Sequence, residues 1–198
     1  MLQDIPTPTR HQPQSCVLET ERLRLRKPTL ADVKAIARLA NDRQVALNTR
    51  RLPHPYRQDD AADYIKALAA SGNDTAFLIE LDYQPIGMVA IDWRNPAAPE
   101  LGYWLGVDYW GLGFATEAAR AVIDFAFEEF DIAQVVAGAR VANPASRNVL
   151  EKCGFQWTGV ELHRFEALGG STPVDRFRLS RGVWSSLKSW NATTRRAS

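Results

Sequence analysis

The residues best placed to do chemistry in this chain surround two glycines: Trp110-Gly111-Leu112-Gly113-Phe114-Ala115-Thr116. Gly111, Gly113 and Ala115 let the backbone approach a ligand without Cβ clashes. Ahead of them, residues 101–107 (LGYWLGV) are aromatic and aliphatic with few breakers and predict a strand. Behind them, Ala119, Val122, Ile123, Ala126 and Phe130 recur at helical spacing from Thr116 on. A strand, a glycine turn and a helix start aim the turn N–H groups and the positive helix end in one direction. That is an anion site, best suited to phosphate. It is neither of the two common phosphate loops, because Thr116 stands where a third glycine would be and no Gly-Lys-Ser/Thr follows. For the loop alone, a tight strand–helix turn with no ligand is the competing reading.

A second cluster runs Asn143-Pro144-Ala145-Ser146-Arg147-Asn148 and closes on Cys153-Gly154-Phe155. Asn143 suits an N-cap, Pro144 the first helical position and Gly154 the C-terminal cap. Those three residues are explained as helix punctuation without any function.

Further strands are expected at residues 22–27, 76–81, 85–93, 132–139, 156–165 and 174–179. Helices are expected from Thr29 or Asp32 to about Ala40, and over residues 58–70. Residues 41–58, with Leu-Pro-His-Pro-Tyr, are turn-rich. The alternation predicts an α/β (mixed α+β) domain, with one mixed sheet of about seven strands and four helices.

Composition narrows the function classes. The 198 residues are 45% hydrophobic and 24% charged, with net charge +1, which bounds one globular domain with a real core. The balanced charge gives no reason to expect a nucleic-acid partner. No apolar run approaches the ~20 residues that cross a bilayer. The first fifteen residues lack the apolar stretch of a secretory signal. Cys16, Cys153 and three histidines make neither a metal cluster nor a disulfide framework, so no metal is expected. The expected compartment is the cytoplasm. Residues 1–16 are polar and proline-rich and read as a disordered arm, residues 17–188 as the domain, and residues 189–198 as a frayed polar tail.

Trp110 to Ala118 (WGLGFATEA) resembles motif A of the GNAT N-acetyltransferases, in a form frequent in the subgroup that acetylates ribosomal-protein N-termini (RimJ/RimL-like). The string N-x-x-S-x-x-x-L-E-K-x-G-F from Asn143 to Phe155 resembles motif B of the same family. LPHPYRQDDAADYI, from Leu52, resembles the segment that lines the acceptor groove in that subgroup. The resemblance covers residues 18–188. It implies the GNAT fold, with the fourth and fifth strands splayed apart, and acetyl-coenzyme A as cosubstrate. It implies direct attack by a primary amine in a ternary complex. A protein N-terminal α-amine is favoured, while a small amine, an aminoglycoside or a catalytically silent coenzyme A sensor stay open. Monomer and homodimer are equally open.

The resemblance also implies site residues. Gly111, Leu112, Gly113, Phe114, Ala115 and Thr116 would hold the pyrophosphate, and Leu105, Gly106 and Val107 would offer free backbone groups to the pantetheine. Asn143, Ser146 and Asn148 complete the cofactor contacts, with Ser146 as the acid for the departing thiolate. No tyrosine follows Tyr109, so the tyrosine that many relatives use from a later position is absent. His54, Tyr56, Trp93 and Tyr103 are expected on the acceptor side. Acyl transfer also needs a deprotonated amine, and an alkyl amine titrates near ~10. Glu100, opening the fourth strand, is the first candidate base, against the plainer reading of a solvated strand-end carboxylate; Glu80, Asp82 and Asp92 are weaker candidates. Cys153 reads as a small buried hydrophobe rather than a nucleophile.

Overall fold

The computed structural model describes residues 16–71 and 75–196, with side chains to residue 190. Apart from Cys16, the arm expected over residues 1–16 lies outside them. Among the described residues one mixed sheet holds eight strands: β1 (Leu18–Glu19), β2 (Leu23–Arg26), β3 (Ala76–Leu81), β4 (Gln84–Asp92), β5 (Glu100–Leu105), β6 (Gln134–Arg140), β7 (Gln156–Phe165) and β8 (Gly170–Ser180). Their order is β1-β2-β3-β4-β5-β6-β8-β7. Every neighbouring pair is antiparallel except β5 and β6. Those two pair only at Glu100↔Val136 and Leu101↔Ala137, although both strands run on. Past Leu101 they part, which is the splay that the resemblance implies.

Six helices accompany the sheet: α1 (Val33–Ala40), α2 (Arg43–Asn48), α3 (Gln58–Ser71), α4 (Phe114–Glu129), α5 (Pro144–Lys152) and α6 (Arg181–Arg196). β3 is buried along nearly its whole length, so both faces of the sheet are covered. One face packs Phe77, Ile79, Val89, Leu101 and Phe177 against Ala118, Val122, Ile123 and Phe127 of α4 and Leu150 of α5. The other packs Leu78 and Met88 against Ile36 and Ala40 of α1 and Ile65 of α3. The period of 3.6 along α4 thus meets the period of 2 along the strands. No helix among the described residues is long and apolar enough to cross a membrane.

Two helices depart from the sequence expectation. α2 lies inside the turn-rich segment, started by the Asp42 side chain, which accepts from Gln44 N–H at 2.7 Å. α6 runs through the polar stretch expected to fray from residue 189. Its start is fastened by Arg181, whose guanidinium donates to the carbonyls of Phe127, Phe130 and Ile132. These include carbonyls that the end of α4 leaves without intrahelical donors. Trp184 then stacks on Phe127 at 4.9 Å and donates to Asp124. The extra strand β1 is a two-residue pairing on β2.

Besides Asp175, two carboxylates are nearly sealed from water, Glu80 at 3% exposure and Asp32 at 7%. Arg26, at the end of β2, donates to both. Asp32 also accepts from Thr29 N–H and hydroxyl. Burial opposes the Asp32 charge, but these donors outweigh it and hold its carboxyl below the usual range. Asp32→Asn is expected to cost about 3 kcal/mol, since the half-buried Arg26 guanidinium loses one of its two charged partners and buried hydrogen bonds to a carboxylate are lost. At ~2–4 °C per kcal/mol that lowers Tm by roughly 6–12 °C. Because the folded-state pKa is depressed, the stabilisation is fully present above pH ~4 and is lost as pH falls below it. Thermal melts from pH 6 to 3 check this: parallel curves for wild type and variant would refute the assignment.

Candidate active site

The loop between β5 and α4 is held in a shape that glycine permits. Gly111 has φ 76° and Gly113, the residue before α4, has φ 85°. Other residues adopt that left-handed region at a cost of about 1–2 kcal/mol. The first N–H groups of α4 have no intrahelical acceptor and point out of the helix start. Glu117 sits in this first turn, where a bare carboxylate would compete with an incoming anion. It is instead clamped by the turn joining β1 to β2. Glu117 accepts from the Thr20 hydroxyl at 2.6 Å, from Arg22 N–H at 2.9 Å and from the Arg22 guanidinium at 2.7 Å. Burial opposes the Glu117 charge, but these donors hold its carboxyl below the usual range. Arg22 also donates to the carbonyl of Leu112, tying the loop itself to the same turn.

From this loop a groove of about 290 Å³ runs along β5 to the start of α5. Gly111, Gly113, Phe114, Ala115 and Thr116 line one end, and Leu105, Asn143, Ser146 and Asn148 line the other. Gly106, Val107 and Leu112, expected beside them, do not. The reason lies in the backbone. Gly106 N–H is spent on Ile86 C=O at 2.9 Å, and Val107 C=O accepts from Trp110 N–H. Because Gly106 faces β4, alternation along the strand turns the backbone groups of Leu105 and Tyr103 toward the side that β6 has left. Leu105 C=O takes the Trp110 indole N–H at 2.9 Å. The open edge therefore consists of Leu105 N–H and both backbone groups of Tyr103: it keeps Leu105 of the expected set and continues to Tyr103 instead of Gly106 and Val107.

At the wide end of the splay, α5 begins. Asn143 Oδ1 caps it by accepting from Ser146 N–H at 3.1 Å. Across the gap, the Tyr103 hydroxyl lies 3.0 Å from Ser146 C=O and 2.9 Å from Ser146 Oγ. Burial pushes the Tyr103 phenol far above its ordinary value, so it stays protonated. A protonated tyrosine hydroxyl thus stands beside Ser146, brought there by β5 and not by the later sequence. Cys153 is buried, and burial pushes its thiol up to about 11, which leaves it inert.

Tyr103 and Ser146 also border a second cavity of about 550 Å³ on the α1/α3 face of the sheet. Tyr56, Tyr64, Met88 and Trp104 give it apolar walls, and Arg50, Arg51, Arg140, Arg176, Glu100 and His163 give it charged ones. Five side chains join in a closed ring. Glu100 accepts from Arg176 at 2.6 Å and from Arg50 at 2.9 Å. Arg50 reaches His163 Nδ1 at 3.0 Å, His163 Nε2 lies 2.8 Å from Glu161, and Glu161 returns to Arg176 at 3.4 Å. An arginine only donates, so His163 Nδ1 accepts and Nε2 carries the proton.

This geometry corrects several expectations. Glu100 has a guanidinium donor on each carboxylate oxygen; burial opposes its charge, but the two arginines hold its carboxyl below the usual range, which makes it a poor proton acceptor. His54 is exposed and outside both cavities. Trp93 packs on Phe130 at 4.7 Å and donates to Thr75, in the core rather than the pocket. Tyr56 and Tyr103 line the cavity of about 550 Å³. Glu80 is committed to Arg24 and Arg26, and Asp92 to Arg51 and Arg94. Sequence reasoning missed Arg50, Arg140, Glu161, His163 and Arg176. Strand alternation puts Glu161 with His163, and Val174 with Arg176, but only the sheet order brings them to Glu100.

A profile of the acetyltransferase (GNAT) domain matches residues 22–156. An N-acetyltransferase of Bacillus licheniformis called p20, itself uncharacterized, is 31% identical over 169 residues, covering 82% of this chain and 94% of its own. The putative ribosomal N-acetyltransferase YdaF of Bacillus subtilis is 35% identical over 103 residues, covering 50% of this chain and 55% of its own. Among solved structures, RimL, a ribosomal L7/L12 α-N-protein acetyltransferase in complex with coenzyme A, superposes with TM-score 0.71 at 20% identity, covering 83% of this chain and 97% of its own.

The clamp on the loop gives a prediction. Arg22→Ala leaves the Glu117 charge uncompensated at the helix start and frees the Leu112 carbonyl. Coenzyme A binding, measured by titration, should weaken by roughly 5–30-fold, the equivalent of ~1–2 kcal/mol. Unchanged affinity in a folded variant would mean that the loop keeps its shape without the clamp.

Proposed function

The chain belongs to the GNAT family of acetyltransferases, and on that premise we propose that it moves the acetyl group of acetyl-coenzyme A to the α-amine of a protein N-terminus. The observation that carries this reading is the meeting of groove and cavity at Tyr103 and Ser146. A ligand with a phosphate end and an amide arm fits the groove, where outward N–H groups at the helix start face the one and the open edge of β5 faces the other. An amine entering from the opposite face of the sheet meets the end of that arm through the gap between β5 and β6. When bound, acetyl-coenzyme A supplies a thioester carbonyl: the amine nitrogen bonds to its carbon, the C–S bond breaks, the amine loses a proton and the thiolate gains one.

The chain's residues divide that work. The backbone of Tyr103 and Leu105 orients the amide arm and offers N–H donors to the developing oxyanion. The Ser146 hydroxyl, hydrogen-bonded to Tyr103, holds the proton for the thiolate. Glu100 positions Arg50 and Arg176 and takes no proton. Among the described residues, each carboxylate at this junction is already paired. That favours an amine that is partly free without a base: an α-amine titrates near ~8, so about a fifth is unprotonated at pH 7.4, against about a thousandth of a lysine side chain. The α-N-protein acetyltransferase among the structural neighbours supports the same acceptor.

Thiol release from acetyl-coenzyme A, measured against a panel of amines, tests the reading. Peptides with a free α-amine should react, and the same peptides blocked at the N-terminus but carrying lysine should not. Release only with a polyamine or an aminoglycoside would overturn the acceptor assignment, and release with none would leave a coenzyme A sensor. Ser146→Ala and Tyr103→Phe should each lower kcat by ~100-fold with cofactor affinity kept. Glu100→Gln should lower it by less than ~10-fold and leave the shape of the pH profile intact. A ~100-fold loss together with a lost basic limb would restore Glu100 as the base.

A further inference from the structure

We infer that the acceptor cavity selects amines that carry a carboxylate near the amino group, and that Arg140 is the residue that binds it. The inference rests on the amine-acceptor reading above and specifies its substrate class. Arg140 ends β6, where that strand has left β5, and its side chain lines the acceptor cavity. Each other arginine there is committed to a carboxylate: Arg50 and Arg176 to Glu100, and Arg51 to Asp92. Of the cavity's other carboxylates, Asp63 pairs with Lys66 at the surface and Asp60 accepts from the backbone N–H of Arg57. Arg140 donates through one terminal nitrogen to Leu47 C=O at 2.7 Å, and its guanidinium lies 5.6 Å from the Phe165 ring centroid. It has no carboxylate partner among the described residues, and its Nε is buried with no hydrogen-bond partner.

A guanidinium is always charged and presents its donors as a planar fork that matches a carboxylate with two parallel hydrogen bonds. With one terminal nitrogen held by Leu47 and Nε sealed from water, the second terminal nitrogen is the donor that an entering carboxylate meets first, with the Nε–H beside it on the same edge of the fork. A buried donor on a cation is costly unless something fills it. The anchor at Leu47 and the Phe165 face fix the orientation of the group before any ligand arrives, so little freedom is lost on binding. Two sources supply this chemistry: an acidic side chain just after the N-terminal residue of a peptide, and the carboxylate of a free amino acid.

The test uses the full-length protein with acetyl-coenzyme A and matched pairs of acceptors: short peptides with glutamate or glutamine after the first residue, and free amino acids with their amides. Wild type should prefer the acid over the amide by ~10-fold or more in kcat/KM, in one set or the other, which identifies the source. Arg140→Gln should abolish that preference, and Arg140→Lys, which keeps the charge but not the fork, should retain only part of it. An unchanged rise in Tm with acetyl-coenzyme A shows that the variants are folded. No acid preference in wild type, or the same preference in Arg140→Gln, overturns the inference. A purely structural Arg140 would weaken all acceptors alike, which also overturns it. Titration of the same acceptors into the coenzyme A-loaded protein separates the two readings. Acid-selective binding that Arg140→Gln removes upholds the carboxylate site even if no acceptor is acetylated, and its absence refutes the site whatever the fate of the acyl-transfer assignment.

Discussion

Two residue pairs are all that join β5 to β6, and the rest of the structure is built around that shortage. A strand that loses its neighbour leaves N–H and C=O groups without partners, which buried backbone does not tolerate. The chain resolves this by making the gap a place for a ligand's amides. It also bridges the gap with side chains. Tyr103 reaches across it to Ser146. On the opposite face Arg176 of β8 reaches over β6 to Glu100 of β5. That second bridge passes above Gly138, where a Cβ would stand 2.7 Å from the Arg176 guanidinium. A side chain at that position would push against the guanidinium and against Val174, so the bridge would have to shift.

The two sides of the gap differ in electrostatic character. On the cofactor side the donors are mostly backbone N–H groups and a helix start, and the one nearby carboxylate, Glu117, is neutralised by Arg22. On the acceptor side the charges are side chains already satisfied by one another in the ring through Glu100, Arg50, His163, Glu161 and Arg176. Arg140 stands outside that ring. The difference suits phosphate on the first side and, in the reading proposed above, a single carboxylate on the second.

What the sequence revealed follows from how local each feature is. The loop at Gly111 and Gly113 and the cap at Asn143 are contained in a few consecutive residues, so composition and spacing were enough to place them. Elements with a clear period, such as α4 and β3, were legible for the same reason. α2 was hidden by flanking turn residues, and α6 because its anchor, Arg181, acts on carbonyls some fifty positions earlier. Glu100 was assigned a proton-accepting role because a lone carboxylate on a strand end carries no sign of its partners. Arg50 and Arg176 lie 50 and 76 positions away and arrive only through the order of strands in the sheet. The free edge was legible only at Leu105, because the direction in which each strand residue points depends on its partner strand.

The fastening of Glu117 to Arg22 spans 95 positions of sequence. α4 can form from local contacts, but the loop in front of it reaches its final shape only after the first hairpin of the domain has docked on it. Such distant contacts close late, because chain entropy must be lost before they return anything. During synthesis on the ribosome, the residues of that hairpin emerge long before their partner. The clamp on the cofactor loop is therefore a late, long-range contact, while the helix behind the loop is a local one.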